Sequence, residues 1–304
     1  MNKTLISIVG PTAIGKTHLS IEVAKALKTE IISCDSRQFY KEMNIGTAVP
    51  SKEELSAVKH HFIQHISIFD EYSVGKFEIE AMKLIEEKFQ YKNTLCLTGG
   101  SGLYQKAVLK GLDDFPKVEP HIREELNQLY KSKGIEPLQN KLVTLDPEYF
   151  AIVDQQNPHR LLRALEICIG TGRSFSYFLN QKNKKKREFE SLKIGLIADR
   201  DVVYRRIEER VDIMMKEGLL EEAKNLYPYR NLNALNTVGY KELFDFMEGK
   251  SSLEKAIDEI KKNTRRFAKR QLTWYRKEKD IKWFPFDTDP KQIVDYILNL
   301  PTIN

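Results

Sequence analysis

The residues Gly10-Pro11-Thr12-Ala13-Ile14-Gly15-Lys16-Thr17 match the pattern G-x-x-x-x-G-K-[ST] without a mismatch. Glycines in such a loop let successive backbone N–H groups turn toward one anion. A helix beginning at the end of the loop adds the positive end of its dipole. Lys16 brings a mobile positive charge, and Thr17 a hydroxyl able to ligate Mg²⁺. This set of residues binds a phosphate or diphosphate; a purely structural turn is the lesser alternative. A carboxylate follows in Asp35-Ser36-Arg37-Gln38, at the end of an apolar run. It serves either as a turn or helix cap, or as a general base or orienting acceptor. Gly99-Gly100-Ser101-Gly102 is a second glycine-rich turn, expected to form another wall of the same cleft with the Ser101 hydroxyl in it. The run before it, Thr94–Thr98, lacks the terminal acidic residue that helps hold Mg²⁺ in P-loop ATPases and GTPases.

Cationic residues gather at four other places. His159, Arg160 and Arg163 lie within one turn of a helix start at Asn157-Pro158, and 159 and 163 share a face. They are either an exposed helix end or contacts to phosphate or base. Arg205, Arg206 and Arg210 follow Asp199; they suit bidentate phosphate recognition or salt bridges with Glu208 and Glu209. Lys182–Arg187 carries five basic residues in six and reads as an exposed loop. Lys261–Lys282 holds ten basic and two acidic residues. Its aromatics are Phe267, Trp274 and Tyr275; they either stack on bases or, as Phe267 and Trp274 seven apart suggest, pack a buried face, which is the expected reading and leaves the basic face for a nucleic-acid backbone. His60, His61 and His65 lack the HExxH pattern and a third-ligand spacing, so no metal is expected there.

These residues need a scaffold. Thr4–Val9, Glu30–Cys34, Thr94–Thr98, Lys193–Ala198 and Trp283–Phe286 read as strands. Thr17–Leu27 and Val74–Phe89 read as helices between the first three. Strands alternating with helices imply right-handed crossovers and a mostly parallel sheet. From about Pro116 to Lys186 the pattern is helical: Val118–Lys133, Ile135–Asp146, Pro147–Val153, Pro158–Gly170 and Ser174–Gln181. The expected fold is α/β, a P-loop NTPase-like core of a mostly parallel sheet flanked by helices, plus an all-helical insertion. The core is expected over 1–115 and 190–304 and the insertion over 116–189.

Composition sets the outer limits. The 304 residues are 41% hydrophobic and 30% charged, which excludes disorder as the main state. No apolar run approaches the ~20 residues needed to span a bilayer. Three cysteines, Cys34, Cys96 and Cys168, lie far apart without ligand spacing. A disulfide framework and structural zinc are therefore unexpected, and a reducing cytoplasm is expected. The net charge is +6, and the two separate basic clusters favour a polyanionic partner.

The ordered motifs GPTAIGKT, DSRQFY (35–40), NIGTA (44–48), TGGSGLY (98–104), NPHRLLRALEI (157–167), RIEERV (206–211), VGYKEL (238–243) and TRRFAKRQLTWYR (264–276) resemble the tRNA dimethylallyltransferase family. The resemblance runs from Gly10 to Arg276 and is to the bacterial form, since no zinc finger follows before Asn304. It implies transfer of a dimethylallyl group from dimethylallyl diphosphate to N6 of the adenosine 3′-adjacent to the tRNA anticodon. Diphosphate would leave with Mg²⁺ assistance, and the target base would be flipped out. By position, Asp35 is implied as the acceptor or base, and Gly10–Thr17 with Arg210 as the diphosphate site, Arg206 being the weaker candidate. Lys16 and Arg210 would stabilise charge on the leaving oxygen, and Thr17 would hold Mg²⁺. Ser101 stands where many members have threonine and keeps the hydroxyl. Asp35, Ser36, Arg37, Gln38 and Ser101, with Arg123, His159, Arg160, Leu161, Leu162 and Arg163 in the insertion, are implied tRNA contacts. The anticodon stem-loop is the implied partner, with no membrane and no obligate protein partner; a monomer is the default. An adenylate isopentenyltransferase, a small-molecule P-loop kinase and, more weakly, a non-enzymatic RNA-binding module share parts of this pattern.

Overall fold

The run Thr4–Val9 forms the central strand β1, and all six of its residues are buried. That burial is expected of a strand covered on both faces of a parallel sheet. The computed structural model describes residues 3–179, 186–301 and 303. The chain divides into two compact units, Met1–Lys110 with Arg187–Asn304, and Gly111–Lys186.

In the first unit β1 leads through α1 (Lys16–Ala26), β2 (Ile31–Ser33), α2 (Lys52–Ala57), β3 (His60–His61), α3 (Val74–Lys88) and β4 (Thr94–Thr98) to α4 (Gly102–Lys110). The second unit contributes α5 (Pro120–Lys133), α6 (Glu136–Leu145), α7 (Pro147–Ile152), α8 (Pro158–Thr171) and α9 (Phe175–Leu179). The first unit resumes with β5 (Glu190–Ile197), α10 (Arg200–Lys216), α11 (Leu219–Leu226), α12 (Tyr240–Met247), α13 (Leu253–Tyr275), β6 (Ile281–Pro285) and α14 (Pro290–Leu298). Strand order is β3-β2-β4-β1-β5-β6, every pair parallel. Thr98 is in register with both Ile8 and Ser33, so β1, β2 and β4 end at one level. The loops after them, Gly10–Gly15, Asp35–Gln38 and Gly99–Ser101, therefore share the carboxyl edge, where open α/β sheets bind ligands.

The two-residue strand β3 escapes a periodicity reading because it is too short to show alternation. In the second unit, α8 starts as expected at Pro158, with the Asn157 side chain accepting from the Arg160 N–H at 3.3 Å. It runs past the expected stop at Gly170 and closes on Gly172, whose φ is 69°. Gly170 answers a packing need instead: a Cβ there would lie 2.5 Å from Val118 Cγ1. Leu138, Leu142, Leu161 and Leu165 form the centre of this unit's own core. Among the described residues, no helix is long and apolar enough to cross a membrane.

Candidate active site

The loop between β1 and α1 has the backbone an anion cradle needs. Gly10 and Gly15 have φ of 145° and 106°, and Ala13 also sits at positive φ, 63°. A Cβ at Gly10 would lie 2.7 Å from the Leu196 carbonyl oxygen. Ala13 and Ile14 are buried, so this loop offers backbone rather than side chains. Lys16 Nζ donates to the Pro11 carbonyl at 2.7 Å. Desolvation, only partly opposed by the Asp35 charge and reinforced by Arg210, lowers the Lys16 ammonium to about 8.

The two arginines of α10 divide the work. Arg206 Nε donates to the Ala13 carbonyl at 2.7 Å, and its guanidinium lies 5.3 Å from the centre of the Phe286 ring. It braces the loop. Arg210 lines the cavity and donates to Thr12 Oγ1 at 3.5 Å, its one hydrogen bond among the described residues. Its fork stays available to an anion, and burial and the Arg206 charge lower its pKa.

Asp35 faces the loop. Its Oδ1 accepts from the Arg37 N–H and its Oδ2 from the Gly100 N–H, both at 3.1 Å. This close approach requires glycine: a Cβ at Gly100 would stand 2.8 Å from Oδ2. Ser101 Oγ accepts from the Ser36 N–H at 3.0 Å and meets Ser36 Oγ at 2.9 Å, tying the two turns together. Arg37 donates to the Ala234 carbonyl at 2.9 Å and more distantly to those of Asn233 and Asn236. Gln38 Nε2 donates to the Ala48 carbonyl at 2.8 Å. The 44–48 loop is held by a residue that sequence patterning missed. The Glu222 carboxylate accepts from the N–H groups of Asn44, Ile45 and Gly46 and from the Tyr240 hydroxyl.

Thr12–Thr17, Asp35–Gln38, Gly99–Ser101 and Arg210 line one cavity of about 1460 Å³, together with Phe267, Arg270, Gln271 and Trp274 of α13. The expectation of buried aromatics on this helix holds at Tyr275 and is corrected at Phe267 and Trp274. Phe267 and Trp274 are each 37% exposed, while Ala268, Gln271 and Tyr275 form the buried stripe. Beside Tyr275, the stripe is filled here by a small and an amide side chain, Ala268 and Gln271. A Cβ at Gly102 would lie 2.5 Å from Trp274 Nε1, so glycine lets the indole lie against that turn.

The other cationic groups have separate fates. Lys182–Lys185 lie outside the described residues. Arg187, expected in the exposed loop, is instead half-buried and donates to Glu78 Oε1 at 2.8 Å and to the Ala107 carbonyl at 2.6 Å. In the helical unit His159, Arg160 and Arg163 are exposed. Arg123 and Arg163 both meet Glu166 Oε2, at 3.3 and 3.1 Å. Leu161 and Leu162, within the stretch implied to contact tRNA, are 0% and 2% exposed, so their side chains offer no surface for such a contact. They pack the core beneath the basic turn. His61 is engaged by Glu30 at 2.6 Å, and His65 sits edge-on to the rings of Phe39, Phe62 and Tyr72. No group of three His, Cys, Asp or Glu among the described residues is placed to hold a metal. The cavity's hard oxygen donors, the Thr17 hydroxyl foremost, suit Mg²⁺ held chiefly by phosphate oxygens and water.

Comparison with known proteins gives one consistent result. Residues 38–278 match the model of a family described as IPP transferase. A tRNA dimethylallyltransferase of Christiangramia forsetii is 63% identical over 297 residues, covering 98% of each chain. The crystal structure of a tRNA isopentenylpyrophosphate transferase from Bacillus halodurans superposes with a TM-score of 0.71 at 40% identity, covering 98% of this chain and 95% of that one. A eukaryotic dimethylallyltransferase captured acting on tRNA gives a TM-score of 0.81 at 28% identity, covering 98% of this chain and 80% of that one.

Proposed function

The chain belongs to the IPP transferase family, and from that premise we propose that it moves the dimethylallyl group of dimethylallyl diphosphate to N6 of the adenosine 3′-adjacent to the tRNA anticodon. The observation that carries this reading is one cavity with an anion cradle on one wall and a fixed carboxylate on another. An enzyme that releases diphosphate rather than hydrolysing a triphosphate needs those two walls and no acidic residue at the end of β4.

The adenine N6 lone pair attacks C1 of the dimethylallyl group. The C1–O bond breaks, and its electron pair leaves with the bridging oxygen of diphosphate. The backbone amides of the 10–15 loop, Lys16 and the free fork of Arg210 stabilise that charge; fixed donors of this kind are worth on the order of 100-fold each. Asp35 takes the proton that N6 loses. Its carboxylate is held by two backbone N–H groups, so it meets the amine without reorganising. Thr17 would hold Mg²⁺, which when bound supplies charge neutralisation at the leaving diphosphate. Phe267 and Trp274 offer faces for a flipped base, and the basic surface of α13 suits the tRNA backbone. Arg123, His159, Arg160 and Arg163 would contact tRNA from the helical unit. The cytoplasm is the proposed location.

The test supplies purified protein, Mg²⁺ and labelled dimethylallyl diphosphate with unmodified tRNA, AMP or ATP. Label in the anticodon-loop adenosine of tRNA is expected. Label in AMP alone would assign a nucleotide acceptor, and ATP consumed with no label transferred would assign a kinase.

A further inference from the structure

We infer that Gln271 is a positioning residue for the transfer: its side-chain amide sets the spacing between the leaving-group cradle and the Asp35 carboxylate. This rests on the function proposed above. Gln271 is 5% exposed, on the buried stripe of α13, yet its partners lie on two loops of the catalytic edge. Oε1 accepts from the Thr12 N–H at 2.8 Å, and Nε2 donates to the Gly100 carbonyl at 2.8 Å. Gly100 in turn donates its N–H to Asp35 Oδ2 at 3.1 Å. Thr12 offers only a donor and Gly100 only an acceptor at these atoms, so the amide has one orientation. The result is a continuous relay: cradle N–H, glutamine amide, Gly100 peptide, carboxylate.

The glycine at 100 belongs to the same device. A Cβ there would come within 2.8 Å of Asp35 Oδ2 and 3.0 Å of Gln271 Nε2. Backbone, carboxylate and amide close on one another with no space for a methyl group. The Thr12 N–H, which the loop could have aimed at the anion, is given instead to Gln271. The loop therefore gives up one anion donor and gains a fixed distance to the second wall. A glutamine serving only the core has no reason to join these two loops. Displacing reacting groups by 1 Å costs on the order of 100-fold in rate, so this spacing matters to the reaction.

The experiment compares wild-type enzyme with Gln271→Leu and Gln271→Glu in single-turnover transfer at saturating tRNA, from pH 6 to 8, alongside tRNA Kd and thermal unfolding. Gln271→Leu removes both bonds and is expected to slow transfer about tenfold or more, with tRNA Kd unchanged within about twofold. Gln271→Glu is the decisive variant. Its neutral acid form reproduces the amide, accepting from Thr12 and donating to Gly100, whereas its carboxylate repels the Gly100 oxygen. The ratio of this variant's rate to wild type should therefore rise as pH falls. Asp35, Lys16, Arg210 and Arg270 line the same cavity, and the ratio cancels only the pH dependence that variant and wild type share. A flat ratio, a near-wild-type rate in Gln271→Leu, or a loss carried wholly by tRNA binding overturns the role. If Gln271→Leu does not fold, the pH ratio of Gln271→Glu decides alone. Inactive wild-type enzyme overturns the function this rests on and the role with it; active wild-type enzyme with unaffected variants overturns the role only.

Discussion

The two units hold their functional side chains over different spans of chain. In the α/β unit the bonds that set the site join residues far apart in the chain: Gln271 to Thr12, Arg206 to Ala13, Arg37 to Ala234, Glu222 to the 44–48 loop. In the helical unit the contacts span shorter stretches of chain: Arg163 pairs with Glu166 three residues on, and Arg123 reaches the same carboxylate from 43 residues away, while the Asn157 side chain caps the helix through the Arg160 backbone N–H. Long-range bonds fix a geometry that no single element defines, as a site making and breaking bonds requires. Local bonds orient a surface whose side chains still adjust, which suffices for gripping a phosphate backbone. Substitutions in the first unit should therefore act on rate, and those in the second on binding.

Asp35→Asn gives the largest expected effect. The amide keeps the shape but accepts no proton, and loss of a general base costs on the order of 100- to 10,000-fold. Single-turnover transfer should fall in that range while tRNA Kd, measured by filter binding, stays within about threefold. A loss of equal size in affinity and rate would erase the distinction between the units.

Lys16 sharpens the contrast through pH. Its ammonium is lowered to about 8 in the free site, chiefly by desolvation. Bound diphosphate places negative charge beside it and raises that value, so binding takes up a proton above pH 8. Affinity for dimethylallyl diphosphate should be independent of this group below pH 8 and fall as pH rises beyond it, by at most about tenfold per unit. Calorimetry in buffers of different ionisation enthalpy measures the proton uptake directly. Lys16→Met should abolish it, and uptake that persists in that variant would assign it to another group.

How far the sequence shows this site depends on how local each feature is. The cradle is contiguous, and its glycines, Lys16 and Thr17 are visible as one motif. Asp35 and the 99–102 turn are visible because each ends an apolar run, and parallel strands bring run ends to one edge. Gln271 is hidden because its two partners lie 171 and 259 residues away, and a glutamine in a basic helix looks solvent-facing. Glu222 is hidden for the same reason. Phe267 and Trp274 are misassigned because hydrophobicity at a seven-residue spacing does not distinguish core from cavity wall. Leu161 and Leu162 show the converse: a motif spans surface and core together, and only burial separates Arg160 and Arg163 from the leucines between them.

That separation gives the smallest expected effect and the cleanest check on the helical unit. Arg160 is exposed, so Arg160→Ala should change stability by no more than about 0.5 kcal/mol. If Arg160 neutralises one tRNA phosphate, the slope of log affinity against log salt should shrink by about one, uniformly across tRNA sequences. The single-turnover rate at saturating tRNA is expected not to change if Arg160 serves binding alone. Arg163→Ala should show the same signature with an added small loss of stability, since Arg163 also lies 5.4 Å over the Phe115 ring and shares Glu166 with Arg123. A rate defect that survives saturation in the Arg160 variant would mean that the helical unit helps set the reacting geometry, and the division between fixing and gripping would have to be redrawn.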